Sequence, residues 1–412
     1  MNKPHIAVVG AGIVGICSAY FLNKSGFDVT LIDKNEPGSM TSYGHACTFA
    51  DYASVPVNSP SLFKQIPSML FKKDSPLAVD FFYVIKNLPW ALKFLNNCRK
   101  DKVEEISKSL ANFLRHSQLS YDEIFEEVKV SEHIKNEENI YLFDSKKSYD
   151  DYKYATLLRK KNNVEVLELN KKEIHDLEPN LAPVYYSGQL FVGSRHTTNP
   201  LAISKKIFDI FLSNGGKYIK ENVKNVLQKE NCVEVFLENK QVEFDEMILC
   251  AGAWSNNIAN MVGENFPLDT ERGYHVLFET EQQLINRPIA WSESGFYLIQ
   301  IDDGVRAAGT VEIAGLTKPP NKKRTQMIEN QSRKLLPQLG KVKSTWMGRR
   351  PTLPDAKPII GRSINNKNIF YAFGHQHIGW TLAAVTGKVI DSLVKESSTN
   401  IDISSFHPSR FR

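Results

Sequence analysis

The sequence predicts a mixed fold, α/β plus α+β, with a strand–helix–strand unit at the N-terminus and a mostly antiparallel sheet later in the chain. Three observations predict it. A short apolar run is followed at once by Gly10-Ala11-Gly12-Ile13-Val14-Gly15. A second apolar strand, residues 247–254, ends in the small pair Ala251-Gly252. Residues 262–315 alternate short β-rich runs with turns. The 412 residues suit two or three domains. Hydrophobic residues at 42% and charged residues at 24% are those of a globular chain, which excludes disorder and fibrous repeats. Lys plus Arg is 51 against 46 for Asp plus Glu, an excess that admits anionic ligands but does not mark a nucleic-acid binder. The five cysteines are scattered and form no CxxC, so no metal site or disulfide framework is expected and a reducing compartment fits. No apolar stretch reaches the length of a signal peptide or membrane span.

Element by element, His5 to Val9 is a buried parallel strand, and the GxGxxG run opens the helix Ile16 to Ser25, which Gly26 stops. Val29 to Ile32 is the next strand, and Asp33 closes it near the ~20-residue spacing at which an acid meets a ribose. Gly10 makes the tight turn, Gly12 lets backbone approach a pyrophosphate, and Gly15 allows close helix packing. Strand, glycines, helix, strand and acid agree in order and distance, so the unit is read as a Rossmann-type dinucleotide-binding element. Val103, Ile106, Leu110, Phe113 and Leu114 mark an amphipathic helix. Residues 200–213 form another, ended by Gly215-Gly216, with strands at 217–228 and 231–237. Gly273 to Phe278 and Phe296 to Ile301 are strands, the second followed by the turn Asp302-Asp303-Gly304. Leu62 to Leu95, interrupted by Pro67, Pro76 and Pro89, is read as helices packed on the core, with a membrane-surface position as the alternative.

Near the C-terminus, Gly348-Arg349-Arg350-Pro351-Thr352-Leu353-Pro354-Asp355 precedes Pro358-Ile359-Ile360-Gly361. Tyr371 to Gly374 and His375-Gln376-His377-Ile378-Gly379-Trp380-Thr381 then open a small-residue helix. With the N-terminal fingerprint and Ala251-Gly252, these segments resemble the FAD-dependent amino-acid oxidoreductases of the D-amino acid oxidase superfamily. A narrower likeness runs through Ser75-Pro76-Leu77, Leu88-Pro89-Trp90, Gly273-Tyr274, Arg306 to Glu312 and Phe406 to Phe411. It is to the bacterial D-amino acid dehydrogenase small-subunit group.

The resemblance implies a discontinuous FAD-binding domain of Rossmann type, residues 1–60, 186–262 and 345–398, interleaved with a substrate domain, 61–185 and 263–344. A C-terminal tail, 399–412, follows. It implies FAD contacts at Gly10, Gly12, Ile13, Val14, Gly15, Asp33, Ser42, Gly252, Gly374, Ile378, Gly379 and Thr381, the last helix aiming its N-terminus at the flavin pyrimidine ring. No metal is implied.

Amine oxidation by a flavin needs a cation for the substrate carboxylate, best a bidentate arginine with a tyrosine nearby. Arg272, Tyr274 and Arg306 are the candidates, with Arg306 and Tyr274 expected to share a pocket and structural ion pairs to Glu271 or Glu312 as the alternative. His45 and His377 are candidate orienting groups, and His375 is as well explained by a structural role. In Thr41 to Cys47 the dehydrogenase group usually has Asn at His45 and Gly at Cys47. Sarcosine and dimethylglycine dehydrogenases attach FAD through a histidine in a similar loop, so covalent attachment at His45 is open beside the favoured noncovalent binding. The expected function is oxidation of an α-amino or α-imino acid to its imine by hydride transfer to flavin N5, with D-amino acids favoured. D-proline, D-hydroxyproline and N-methyl amino acids compete. The electron acceptor is a quinone, a partner protein or dioxygen. An NAD-dependent Rossmann enzyme and a flavin-binding protein without turnover are the rival classes. A cytoplasmic location is expected, with peripheral contact at the inner membrane face open.

Overall fold

In the computed structural model, which describes residues 3–60 and 75–412, the strand His5–Val9 lies inside a six-stranded sheet. The order across that sheet is Lys217–Ile219, Asp28–Ile32, His5–Val9, Glu246–Leu249, Ile369–Phe373 and Ile359–Arg362. All neighbours are parallel except the last pair. A parallel sheet must be covered on both faces, and the pleat divides the work. Ile6 and Val8 point into the helical core made with Ala19, Ala383 and Val385, whereas Ala7 and Val9 pack with Val235 and Phe244 of a three-stranded antiparallel sheet. Period-two alternation along one strand therefore assigns two different covers.

The expected helices Lys100–Leu114 and Pro200–Ser213 form over their apolar stripes. The stretch expected as one strand at 217–228 is two. Lys217–Ile219 joins the parallel sheet and Asn225–Gln228 the small antiparallel one. Among the described residues a nine-stranded sheet is built chiefly from Asp269–Phe278, Phe296–Ile301, Gly304–Ile313 and Val342–Thr352, with antiparallel pairing throughout these four. It stands beside the carboxyl ends of the parallel strands.

The core-packed reading of 62–95 is corrected. Residues 61–74, Pro67 among them, lie outside the described residues. The helices Phe81–Lys86 and Leu88–Asn96 have no buried side chain. Phe81 and Phe82 are 70% and 84% exposed, so their apolar surface faces outward rather than into the core.

The first and last helices, Ile13–Lys24 and Gly379–Val394, cross with their backbones almost touching. A Cβ at Gly387 would come 2.7 Å from the Cys17 carbonyl. Gly387→Ala must separate them or strain both, which should cost about 1–3 kcal/mol as overpacking does. A lower melting temperature in thermal denaturation is expected. An unchanged one would mean the crossing is looser than its geometry.

Candidate active site

The loops after Val9, Ile32, Leu249 and Phe373 open into one cavity of about 1760 Å³. That is larger than the roughly 300–1,000 Å³ of an ordinary small-molecule site, and it lies outside the carboxyl ends of parallel strands, where such folds bind nucleotides. Gly10, Gly12, Ile13, Val14, Asp33, Ser42 and Gly252 line it. Gly15 does not. A Cβ on Gly15 would fall 1.8 Å from the Gly10 carbonyl oxygen, so its role is packing. At Gly12 a Cβ would meet only Ser42 Oγ at 3.5 Å, so the missing side chain leaves free space. Gly252, at φ 55°, has no atom within 4 Å of a Cβ position. The Asp33 carboxylate accepts from Ala11 N and Asn35 N, both at 2.8 Å, which ties the fingerprint turn to the second strand. Ser42 Oγ accepts from Ile13 N at 2.9 Å. An open glycine cradle, a helix N-terminus and an acid at the strand end fit FAD.

Arg306 lies elsewhere than expected. It pairs with Leu277, three residues from Tyr274, and odd separations along a strand face opposite sides. The shared pocket with Tyr274 is therefore corrected. Arg306 Nη1 donates to the carbonyls of Tyr43 at 2.8 Å and His45 at 3.2 Å, and approaches Cys47 Sγ at 3.4 Å. Its guanidinium covers the Tyr43 ring at 4.8 Å. It pins the turn 43–47 from behind. Cys47 sits there at φ 59°, the left-handed region that explains why glycine usually occupies such a position. Arg272 is paired with Glu312 at 3.2 Å and donates to the carbonyls of Lys318 and Pro319. Neither arginine lines the cavity. Tyr274 does, but its hydroxyl donates to Glu312 and accepts from Asn321 N at 3.1 Å.

His45 lines the cavity and lies against Trp380, ring centroids 4.6 Å apart and the planes tilted by 30°. Its Nδ1 accepts from Cys47 N at 2.9 Å, so the neutral ring carries its proton on Nε2, which is buried without a partner. Burial, and then the Arg306 charge, lowers its pKa to about 3. His375 is buried with Nε2 3.0 Å from Thr386 Oγ1, a structural role. His377 is exposed to the cavity but enclosed by protein behind. Enclosure, and then the Arg350 charge, holds its imidazole at about 4. Gly379 reaches the cavity, whereas Gly374, Ile378 and Thr381 support it. A Cβ on Gly374 would strike Leu353 Cδ1 at 2.5 Å, Ile378 is buried in the core, and Thr381 Oγ1 accepts from Ala50 N at 2.9 Å.

Several lining groups escaped the sequence reading. Arg350, whose guanidinium lies against Gly273, donates to the Thr310 carbonyl at 2.8 Å. Its motif carried the family likeness, yet nothing in the spacing singled it out. Trp346 lies over Gly44 and Gly348, where any Cβ would overlap the indole. Tyr52, Tyr297 and Arg159 also line the cavity. Arg159 sits in a Lys-rich helix that reads as surface.

Comparison with known proteins agrees with this geometry. The family model described as FAD dependent oxidoreductase (DAO) matches residues 5–393. A D-amino-acid oxidase of Bradyrhizobium diazoefficiens is 34% identical, over 99% of each chain. A D-amino acid dehydrogenase of Vibrio vulnificus is 24% identical, over 95% of this chain and 96% of that one. Among solved structures, glycine oxidase from Geobacillus kaustophilus superposes with TM-score 0.76 at 17% identity, covering 99% of this chain and 98% of that one. L-proline dehydrogenase from P. horikoshii superposes with TM-score 0.76 at 18% identity, covering 100% of this chain and 98% of that one. The NAD-dependent alternative falls away, and the chain belongs to the DAO family of FAD-dependent oxidoreductases.

Proposed function

We propose that the protein oxidises a D-α-amino acid to its imine, which hydrolyses to the keto acid and ammonia when the amine is primary. The observation that carries this reading is one continuous cavity. A glycine cradle for a dinucleotide leads directly into a chamber walled by Arg350, Tyr274 and Tyr297. Bound FAD supplies the acceptor for the electron pair of the substrate Cα–H bond. The chain's own residues orient the substrate. Arg350, half-buried with Glu271 as its charged neighbour, takes the α-carboxylate as a charge-assisted pair. His45 and His377 stay neutral near pH 7, so they add no positive charge against the substrate amine. Arg306 acts through the turn 43–47. The Nε2 proton of His45 makes that atom a donor rather than a nucleophile, which supports noncovalent FAD.

Among the described residues no helix is long and apolar enough to cross a membrane. The exposed Phe81, Phe82, Ile85, Leu88 and Leu92, with Lys86 and Lys93 on the same two helices, support peripheral contact at the inner membrane face of a cytoplasmic protein. They also support a quinone or partner protein, rather than dioxygen, as electron acceptor.

The experiment on the purified protein is anaerobic mixing with D-amino acids, D-proline and N-methyl glycine, followed by acid precipitation. Bleaching of the flavin by D-amino acids, and acid-soluble flavin, are expected. Oxidised flavin after every D-amino acid sinks the reading. For the substrate anchor, Arg350→Ala should lower kcat/KM at least about tenfold with flavin retained, from the 1.5–3 kcal/mol of a charge-assisted bond. Arg306→Ala should instead lower the melting temperature, since it frees the turn 43–47. If Arg306→Ala lost kcat/KM at full stability, Arg306 and not Arg350 would be the anchor.

A further inference from the structure

The helix Lys146–Lys161 runs along the cavity wall, and Ser148, Tyr152, Ala155 and Arg159 recur along it at helical spacing as lining residues. The face spans roughly 16 Å at 1.5 Å per residue. It begins at the exposed capping box of Ser145 and ends at Arg159, which is 5% exposed. Acidic groups of the cavity, Asp144, Asp151 and Glu293, gather at the outer end, where Lys147 pairs with Asp151 at 3.0 Å.

Arg159 is held but not neutralised. Nε donates to the Tyr52 carbonyl at 3.2 Å, and the guanidinium lies 5.1 Å from the Tyr152 ring and 5.3 Å from the Phe191 ring. Nη1 is buried with no hydrogen-bond partner. Around it Asn139 Nδ2 donates to the Tyr52 hydroxyl at 2.9 Å, Tyr52 and Tyr297 hydroxyls are 3.2 Å apart, and Tyr297 donates to Tyr141 at 3.3 Å. Desolvation raises the pKa of all three phenols, so they stay neutral and bring no counter-charge. Other buried arginines also keep nitrogens without a partner, but none of Arg272, Arg306 and Arg324 lines the cavity as Arg159 does. Arg272 has Glu312, and Arg324 donates to the carbonyls of Ser75 and Pro76, both at 2.7 Å. Arg159 has no carboxylate within ion-pair distance among the described residues. A buried cation without a counter-ion is costly, and a ligand anion is what removes the cost.

We infer that Arg159 recognises a second carboxylate, at the side-chain end of the substrate, so that acidic D-amino acids are preferred over neutral ones of the same shape. The inference rests on the functional reading above, with Arg350 at the α-carboxylate. It makes Arg159 a specificity residue.

D-glutamate and D-glutamine differ little in shape but by one charge, so their kcat/KM ratio on the holoenzyme isolates that charge. The wild type should favour D-glutamate at least about tenfold, the size of one charge-assisted bond. Arg159→Met should bring the ratio near one, chiefly through KM for D-glutamate, and Arg159→Lys should keep part of the preference. Equal use of the two substrates by the wild type overturns the inference even if Arg159→Met fails to fold. So does an undiminished preference in a folded, flavin-loaded Arg159→Met. If D-alanine and the other D-amino acids all leave the flavin oxidised, the functional reading itself has failed, a result distinct from either.

Discussion

The structure depends on how closely three backbone segments approach at one strand end. Gly10, at φ 109°, donates to the Ile32 carbonyl at 2.8 Å, and a Cβ on it would lie 2.5 Å from the Cys250 carbonyl oxygen. Gly15 presses the first helix against the same turn. Because these contacts use backbone and not side chains, the two strands, the helix N-terminus and the Asp33 carboxylate occupy fixed places around one empty space. The last helix is locked to the first at Gly387, so its own N-terminus at Gly379 is delivered to the far end of that space. One cavity long enough for a dinucleotide and a substrate follows from two close backbone crossings.

Charge at the other end is arranged through arginines with separate duties. Arg306 fixes the turn 43–47, and Arg272 completes a buried network with Glu312 and Tyr274. Arg350 and Arg159 line the cavity. The difference between them is not residue type but which acceptors remain. Carbonyls hold Arg306 and a carboxylate faces Arg272, both away from the cavity, whereas the buried Nη1 of Arg159 is left without a partner on a side chain that lines it. A guanidinium cannot shed its proton, so its environment must supply the acceptors.

The nucleotide half of the site was legible because its logic is local. Glycine spacing, strand length and an acid at a set distance fix the turn chemistry without long-range information. The substrate half was not legible for the opposite reason. Arg306 and Tyr274 looked like neighbours by strand order, but register sets which face a side chain takes, and a separation of three residues put them on opposite faces. Arg159 sits among lysines in a pattern that reads as a solvated helix, and only the packing of that helix on Tyr52 and Phe191 buries it. The helices 81–96 failed in the reverse sense, since an apolar pattern does not say whether a core or an outer surface will meet it.

The central claim is that the space in front of Gly12 is kept for a dinucleotide. It is tested by the flavin content of purified Gly12→Val beside its melting temperature. Gly12 has φ −71°, which valine adopts without strain, and no protein atom lies within 3.4 Å of its Cβ position. The account therefore predicts a folded protein with near-native stability in its cofactor-free form and little or no flavin. A folded variant that retains full flavin would contradict it.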